Sequence, residues 1–240
     1  MTGAIIVTGA AGGIGAAICQ RVRSDGYFAI GIDRDLCTEA DVDVRIDLRE
    51  SERLIDLGRE LARDYPVKAV IHNAAVQPVA GAGETSIAEW TDALRVNVLA
   101  VDALVAGTRA SLAVNDGSVV VVSSVHARAT TGGLTAYATT KAALEGWVRS
   151  AALDLGPAIR VNAVAPGAID TAKLREGFAR WEESAQERTA ILRERTALGR
   201  IGEPAEVAGA VAFLIGEDAR YITGTVLVVD GGATARLGSE

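Results

Sequence analysis

Tyr137 and Lys141 stand four residues apart in the segment TAYATTKAAL. Side chains at i and i+4 of a helix meet, so this spacing puts a phenol and an ammonium group on one face. The ammonium favours the phenolate. A free tyrosine titrates near ~10, and bringing it to about 7 takes roughly 4 kcal/mol, within reach of a lysine and a cationic nicotinamide together. Such a tyrosine works as an acid in one direction and a base in the other. Y-x-x-x-K alone is a common helix face, and a second site near the N-terminus gives it weight. There Thr8, Gly9, Ala10, Ala11, Gly12, Gly13, Ile14 and Gly15 follow a predicted strand and open a predicted helix. Glycines let the backbone turn tightly and approach a diphosphate, whose charge a helix N-terminus favours. Together the two sites point to a nicotinamide-dependent oxidoreductase.

Asp33 ends the second predicted strand. It lies close to the roughly 20 residues beyond the glycine turn at which a carboxylate accepts hydrogen bonds from a ribose diol. That carboxylate would repel a 2′-phosphate, which favours NAD over NADP. The adjacent Arg34 could swing round to pair with such a phosphate.

The elements that must position these groups are short β-branched runs separated by helical patterns. Strands are predicted at Ala4–Thr8, Phe28–Asp33, 69–73, 118–123, 159–165 and Val226–Val229. The intervening segments are long enough for crossovers, which implies a doubly wound parallel sheet of the Rossmann type. The runs are apolar almost throughout, so helices should cover both faces. Ser86 and Glu89 have capping-box spacing, and Pro204 suits the first turn of a helix reaching about Ile215.

At 240 residues the chain is long enough for one filled α/β core, and no linker divides it, so a single domain over 1–240 is expected. A net charge of −7 with no basic run argues against nucleic acid and anionic membrane surfaces and for a small-molecule partner. The apolar runs fall short of the ~20 residues of a membrane span. The N-terminal sequence lacks a secretory pattern, and the two cysteines have no metal-ligand spacing. A cytoplasmic protein without a metal is expected.

Four further matches make the chain resemble the compact single-domain branch of the short-chain dehydrogenase/reductase family, over essentially its whole length. Asn73 in HNAA resembles the family's N-N-A-G segment, departing from it at His72 and Ala75. Asn97 in WTDALRVN matches the asparagine that kinks a long helix. Ser124 in VVVVSSVH has the family's spacing to Tyr137. NAVAPGAIDT carries P-G-x-x-x-T. The resemblance implies that Gly9, Gly13, Ile14, Gly15, Asp33, Asp47, Leu48, Asn73 and Ala74 hold the adenosine and diphosphate. It also implies that Pro166, Gly167, Ile169 and Thr171 hold the nicotinamide, with Tyr137 and Lys141 on its ribose side. Tyr137 would exchange a proton with the substrate oxygen, Lys141 would depress its pKa, and Ser124 would orient that oxygen. Asn97 would anchor a water in a proton relay. A homotetramer is implied too, with interfaces on the helices around Asn97 and Tyr137 and on the segment near Val226.

Gln77 and His126 are candidate substrate residues, His126 pointing the same way as Ser124 if that segment stays extended. Residues 171–198 form a charged, helix-prone insertion that reads as a lid. In it Leu174, Phe178, Trp181 and Ala185 recur at helical spacing. The polar candidates favour a hydroxylated substrate such as a sugar or cyclic polyol. An NADPH-dependent ketoreductase of acyl thioesters and a catalytically silent nucleotide sensor are the alternatives.

Overall fold

The computed structural model describes residues 3–178 and 184–235. Among them, seven strands form one parallel sheet: β1 (Ala4–Thr8), β2 (Phe28–Asp33), β3 (Val42–Arg45), β4 (Val67–His72), β5 (Ser118–Val122), β6 (Arg160–Pro166) and β7 (Val226–Val229), in the order β3-β2-β1-β4-β5-β6-β7. Chain order reverses between β1 and β4, and ligands of open α/β sheets bind in the crevice at such a point.

Successive side chains of a strand point to opposite faces. Ala4 and Ile6 of β1 accordingly join one buried cluster, and Ile5 and Val7 join the other. The first cluster lies under α2 (Ser51–Asp64), α4 (Ala100–Val114) and α5 (Thr135–Leu155). The second lies under α1 (Gly13–Ser24) and α8 (Pro204–Ile215). Both faces of the sheet are covered, as the unbroken apolar strands require.

The strand β3 was not among the predicted strands. Its four residues alternate in polarity at the sheet edge, where Asp43 and Arg45 face water and pair with each other at 3.0 Å. Residues 87–114 are long and apolar enough to cross a membrane by length and composition, but 56% of the apolar window is buried inside the fold. This stretch is α3 (Ile87–Leu94), a π-helical turn over Arg95–Leu99, and α4. The start of α3 carries the expected capping box, with Ser86 accepting from the Glu89 N–H and Glu89 from the Ser86 N–H. Pro204 opens α8 as expected.

In the insertion, α6 (Ala172–Phe178) and α7 (Ala185–Glu194) are separate helices. A second capping box, between Ser184 and Glu187, starts α7. The predicted single stripe is therefore broken: Phe178 is buried, Ala185 is exposed at the new helix start, and Trp181 lies outside the described residues.

Candidate active site

Of the two predicted sites, the glycine turn is held by the end of β4. Gly9 has φ +66°, and a Cβ there would stand 2.8 Å from the Ala74 backbone; a Cβ on Gly15 would stand 2.0 Å from the Gly9 carbonyl oxygen. Thr8 Oγ1 accepts from the N–H groups of Asn73 (3.1 Å) and Ala74 (3.2 Å), and Asn73 Nδ2 donates to the Gly9 carbonyl (2.9 Å). The turn then feeds the N-terminus of α1, whose first turn carries no acidic residue. Asp33 reaches the same turn, its Oδ2 accepting from the Ala11 N–H at 3.1 Å. A glycine-rich cradle, a helix N-terminus with no side-chain cap and one carboxylate at the turn fit a dinucleotide. Gly13 faces Thr171 across it, with room for a Cβ only 3.0 Å from Thr171 Cγ2.

His72 ties this turn to the helix bearing Asn97. Its Nδ1 lies 2.9 Å from Thr8 Oγ1 and its Nε2 lies 3.2 Å from the Asn97 carbonyl. A carbonyl only accepts, so Nε2 carries the proton and the Thr8 hydroxyl donates to Nδ1. Complete burial, aided by the nearby Lys141 charge, pushes the imidazole down to about 3 and keeps it neutral. The Asn97 side chain is engaged as well. It accepts from the Val76 N–H (2.8 Å) and donates to the Val76 carbonyl (3.0 Å) and Thr140 Oγ1 (2.8 Å). The π-helical turn widens the helix at this point and turns Asn97 onto the loop after β4.

Ser124, two residues beyond β5, is buried, and its hydroxyl acts on the Tyr137 phenol to lower its pKa. Ser123 takes no part in that contact, because its hydroxyl donates to the Lys141 carbonyl at 3.3 Å. One turn along α5 from Tyr137, Lys141 is fully buried, with Nζ 5.6 Å from the phenol ring centroid and donating to the Val122 carbonyl at 2.7 Å. Burial pushes this amine from 10.5 down to about 7, assisted by the charge of Lys173.

Burial also raises the Tyr137 phenol, and the Ser124 hydrogen bond lowers it only in part. The sequence expectation joins Lys141 to a cationic nicotinamide in depressing Tyr137; burial is the larger effect on the phenol within the protein itself. The Lys141 amine is itself held down by burial and bonded to the Val122 carbonyl.

His126 lies at the same centre by a different route from the one expected. The chain turns after Ser124 into a 3-10 turn over Val125–Ala127, with the His126 N–H donating to Ser124 Oγ at 3.2 Å. The ring still meets Tyr137 edge-on, centroids 6.0 Å apart. Gln77 is half-buried beyond the end of β4. Sequence reasoning missed Lys173, whose Nζ donates to the Ala75 carbonyl at 3.1 Å and lies 6.0 Å from the Tyr137 ring centroid. Its place two residues after Thr171 was the available signal.

A family model described as enoyl-(acyl carrier protein) reductase matches residues 9–234. Dehydrogenase/reductase SDR family member 4 of Oryctolagus cuniculus is 35% identical, covering 97% of this chain and 94% of that protein. The chain belongs to the short-chain dehydrogenase/reductase family.

Among solved structures, ligand-free aldohexose dehydrogenase of Thermoplasma acidophilum superposes with a TM-score of 0.94 at 31% identity, covering 99% of this chain and 96% of that one. A candidate NAD(P)-dependent gluconate 5-dehydrogenase of Beutenbergia cavernae, with NADP bound, gives 0.89 at 29% identity, covering 97% of each chain.

The remaining residues that the family pattern marks lie around the same crevice. Pro166 ends β6, and Gly167 packs where a Cβ would stand 2.8 Å from Asp230 Cβ. Ile169 is buried and bridges to Gly202. Asp47 is held by Arg49, which also pairs with Asp92, while Leu48 is buried beside it. Those bonds hold the Asp47 carboxyl below its usual range. Arg34 is exposed and pairs with Asp35 at 3.7 Å. Ile14 is half-buried in the first turn of α1.

Proposed function

We propose that this short-chain dehydrogenase/reductase interconverts a secondary alcohol and a ketone on a hydroxylated small molecule, with NAD as cofactor. The observation that carries the reading is the Ser124–Tyr137–Lys141 group set beside the glycine cradle. Ser124 orients the substrate oxygen, and Tyr137 takes the hydroxyl proton during oxidation and returns it during reduction. The bound nicotinamide supplies the complementary chemistry, accepting or giving the hydride at the carbinol carbon. Lys141, one turn along α5 from Tyr137, adds positive charge when protonated, and that charge favours phenolate. Asn97 and His72 are positioning residues that hold the loop after β4 against the glycine turn.

Asp33 supports NAD, because its carboxylate already faces the turn. The polar His126 beside the catalytic ring, with Gln77 in the loop after β4, supports a hydroxylated substrate. On this reading α6 and α7 close over the substrate, and the working assembly is a cytoplasmic homotetramer. The exposed Leu99, Val114, Leu153 and Val228, on or beside the elements expected at its interfaces, support self-association. Light scattering after size exclusion tests that state.

A second reading, an NADPH-dependent ketoreductase of acyl thioesters, is favoured by the description of the matching family model and by Arg34 beside Asp33. Initial rates with NAD and NADP, in both directions, on polyols, sugars, secondary alcohols and oxoacyl thioesters separate the two. NAD-linked oxidation of a polyol supports the first, and NADPH-only reduction of a thioester ketone replaces it with the second.

A further inference from the structure

Two amines, not one, flank the catalytic ring. Lys141 approaches Tyr137 from the sheet at 5.6 Å from its centroid, and Lys173 approaches from α6 at 6.0 Å. Lys173 is an exposed residue whose amine donates to the Ala75 carbonyl. Neither amine has a carboxylate partner within 4.0 Å among the described residues. The opposite charge acting on Lys173 is Glu176, on the same helix, and the two amines repel each other enough to help lower Lys141. Two amines without a carboxylate partner at one spot stand out in a chain with 24 basic and 31 acidic residues.

We infer that Lys173 binds a carboxylate of the substrate, so that the hydroxylated substrate is a polyhydroxylated monocarboxylic acid of the aldonate type. The inference rests on the proposed function and narrows it. The amine now holds a neutral carbonyl, and a substrate carboxylate would replace that bond with a charge-assisted one, about twice as strong. One flexible ammonium beside a carbonyl oxygen suits a singly charged carboxylate. A phosphate dianion draws on several N–H donors, and the neighbouring Arg175 is committed to Asp170 by two hydrogen bonds of 2.9 Å. Gln77 and His126 are left to meet the hydroxyl groups.

The test uses aldonates of four to six carbons, each matched with the alditol of the same configuration, and NAD. Wild-type enzyme, Lys173→Met and Lys173→Arg are compared by the ratio of kcat/KM for acid to that for alditol. The wild-type ratio should exceed about 10. Lys173→Met should lower it about 10- to 100-fold, mainly through KM for the acid, and Lys173→Arg should keep most of it. An unchanged ratio in Lys173→Met, or a wild-type ratio near one, overturns the inference. In the first case Lys173 is only a latch between α6 and the loop after β4. Turnover of alditols without acids sinks this inference alone. Turnover of simple alcohols or ketones with no polyhydroxylated compound accepted sinks the proposed function with it.

Discussion

Replacing Lys141 by methionine should destroy activity and stabilise the cofactor-free fold. The amine is buried and sits at about 7, against 10.5 for an ordinary lysine. A depression of about 3.5 on the pH scale corresponds to about 5 kcal/mol of preference for the neutral form in the folded state. The folded value lies below the unfolded one, so unfolding takes up a proton between about pH 7 and pH 10.5. Wild-type stability therefore rises with pH across that window. The deficit is full below pH 7 and nearly gone above pH 10.5. Methionine removes it, but leaves the Val122 carbonyl without its 2.7 Å partner, which offsets about 1–3 kcal/mol of the gain. That offset does not vary with pH. Urea unfolding of both proteins, followed by circular dichroism without cofactor and at one protein concentration, reads the difference directly. Lys141→Met should be more stable by about 2–4 kcal/mol at pH 6, and its advantage should shrink by about 2 kcal/mol between pH 7 and pH 9. An advantage that stays constant from pH 6 to pH 9 would refute the argument, because Lys141 would then titrate as an ordinary lysine.

Tyr137→Phe should lower kcat by about 10²–10⁴ while cofactor affinity, read by fluorescence titration, stays within about threefold. Asp33→Ala should weaken NAD binding about tenfold and relieve the exclusion of NADP, measured as the ratio of the two dissociation constants. Gly15→Ala places a methyl 2.0 Å from the Gly9 carbonyl, so calorimetry should show no dinucleotide binding and thermal unfolding should shift downward.

The residues legible in the sequence are those whose meaning is local. The glycine turn, Asp33 at a strand end, Ser124 at its spacing from Tyr137, and the Tyr137–Lys141 helical pair all depend on spacing along one or two elements. What escaped depends on the third dimension. The edge strand Val42–Arg45 alternates in polarity, because its exposed side faces water, and the search for buried apolar runs passed over it. Lys173 meets Tyr137 only because α6 folds back over the end of the sheet. The Thr8–His72–Asn97 chain joins residues on three elements, so a histidine in place of asparagine did not read as a satisfied structural link. Spacing placed Tyr137 and Lys141 as neighbours but carried no information on their burial, which raises the tyrosine pKa and works against the depression expected of Lys141 and a cationic nicotinamide together.

Hydride transfer can be followed atom by atom. A polyol accepted by the enzyme, deuterated at the carbinol carbon that is oxidised, would be incubated with NAD and wild-type or Tyr137→Phe protein, and the reduced cofactor weighed by mass spectrometry. The account predicts one deuterium in the reduced nicotinamide with wild-type enzyme and almost no reduced cofactor with Tyr137→Phe. Reduced cofactor without deuterium, or labelled cofactor formed at the wild-type rate by Tyr137→Phe, would contradict it.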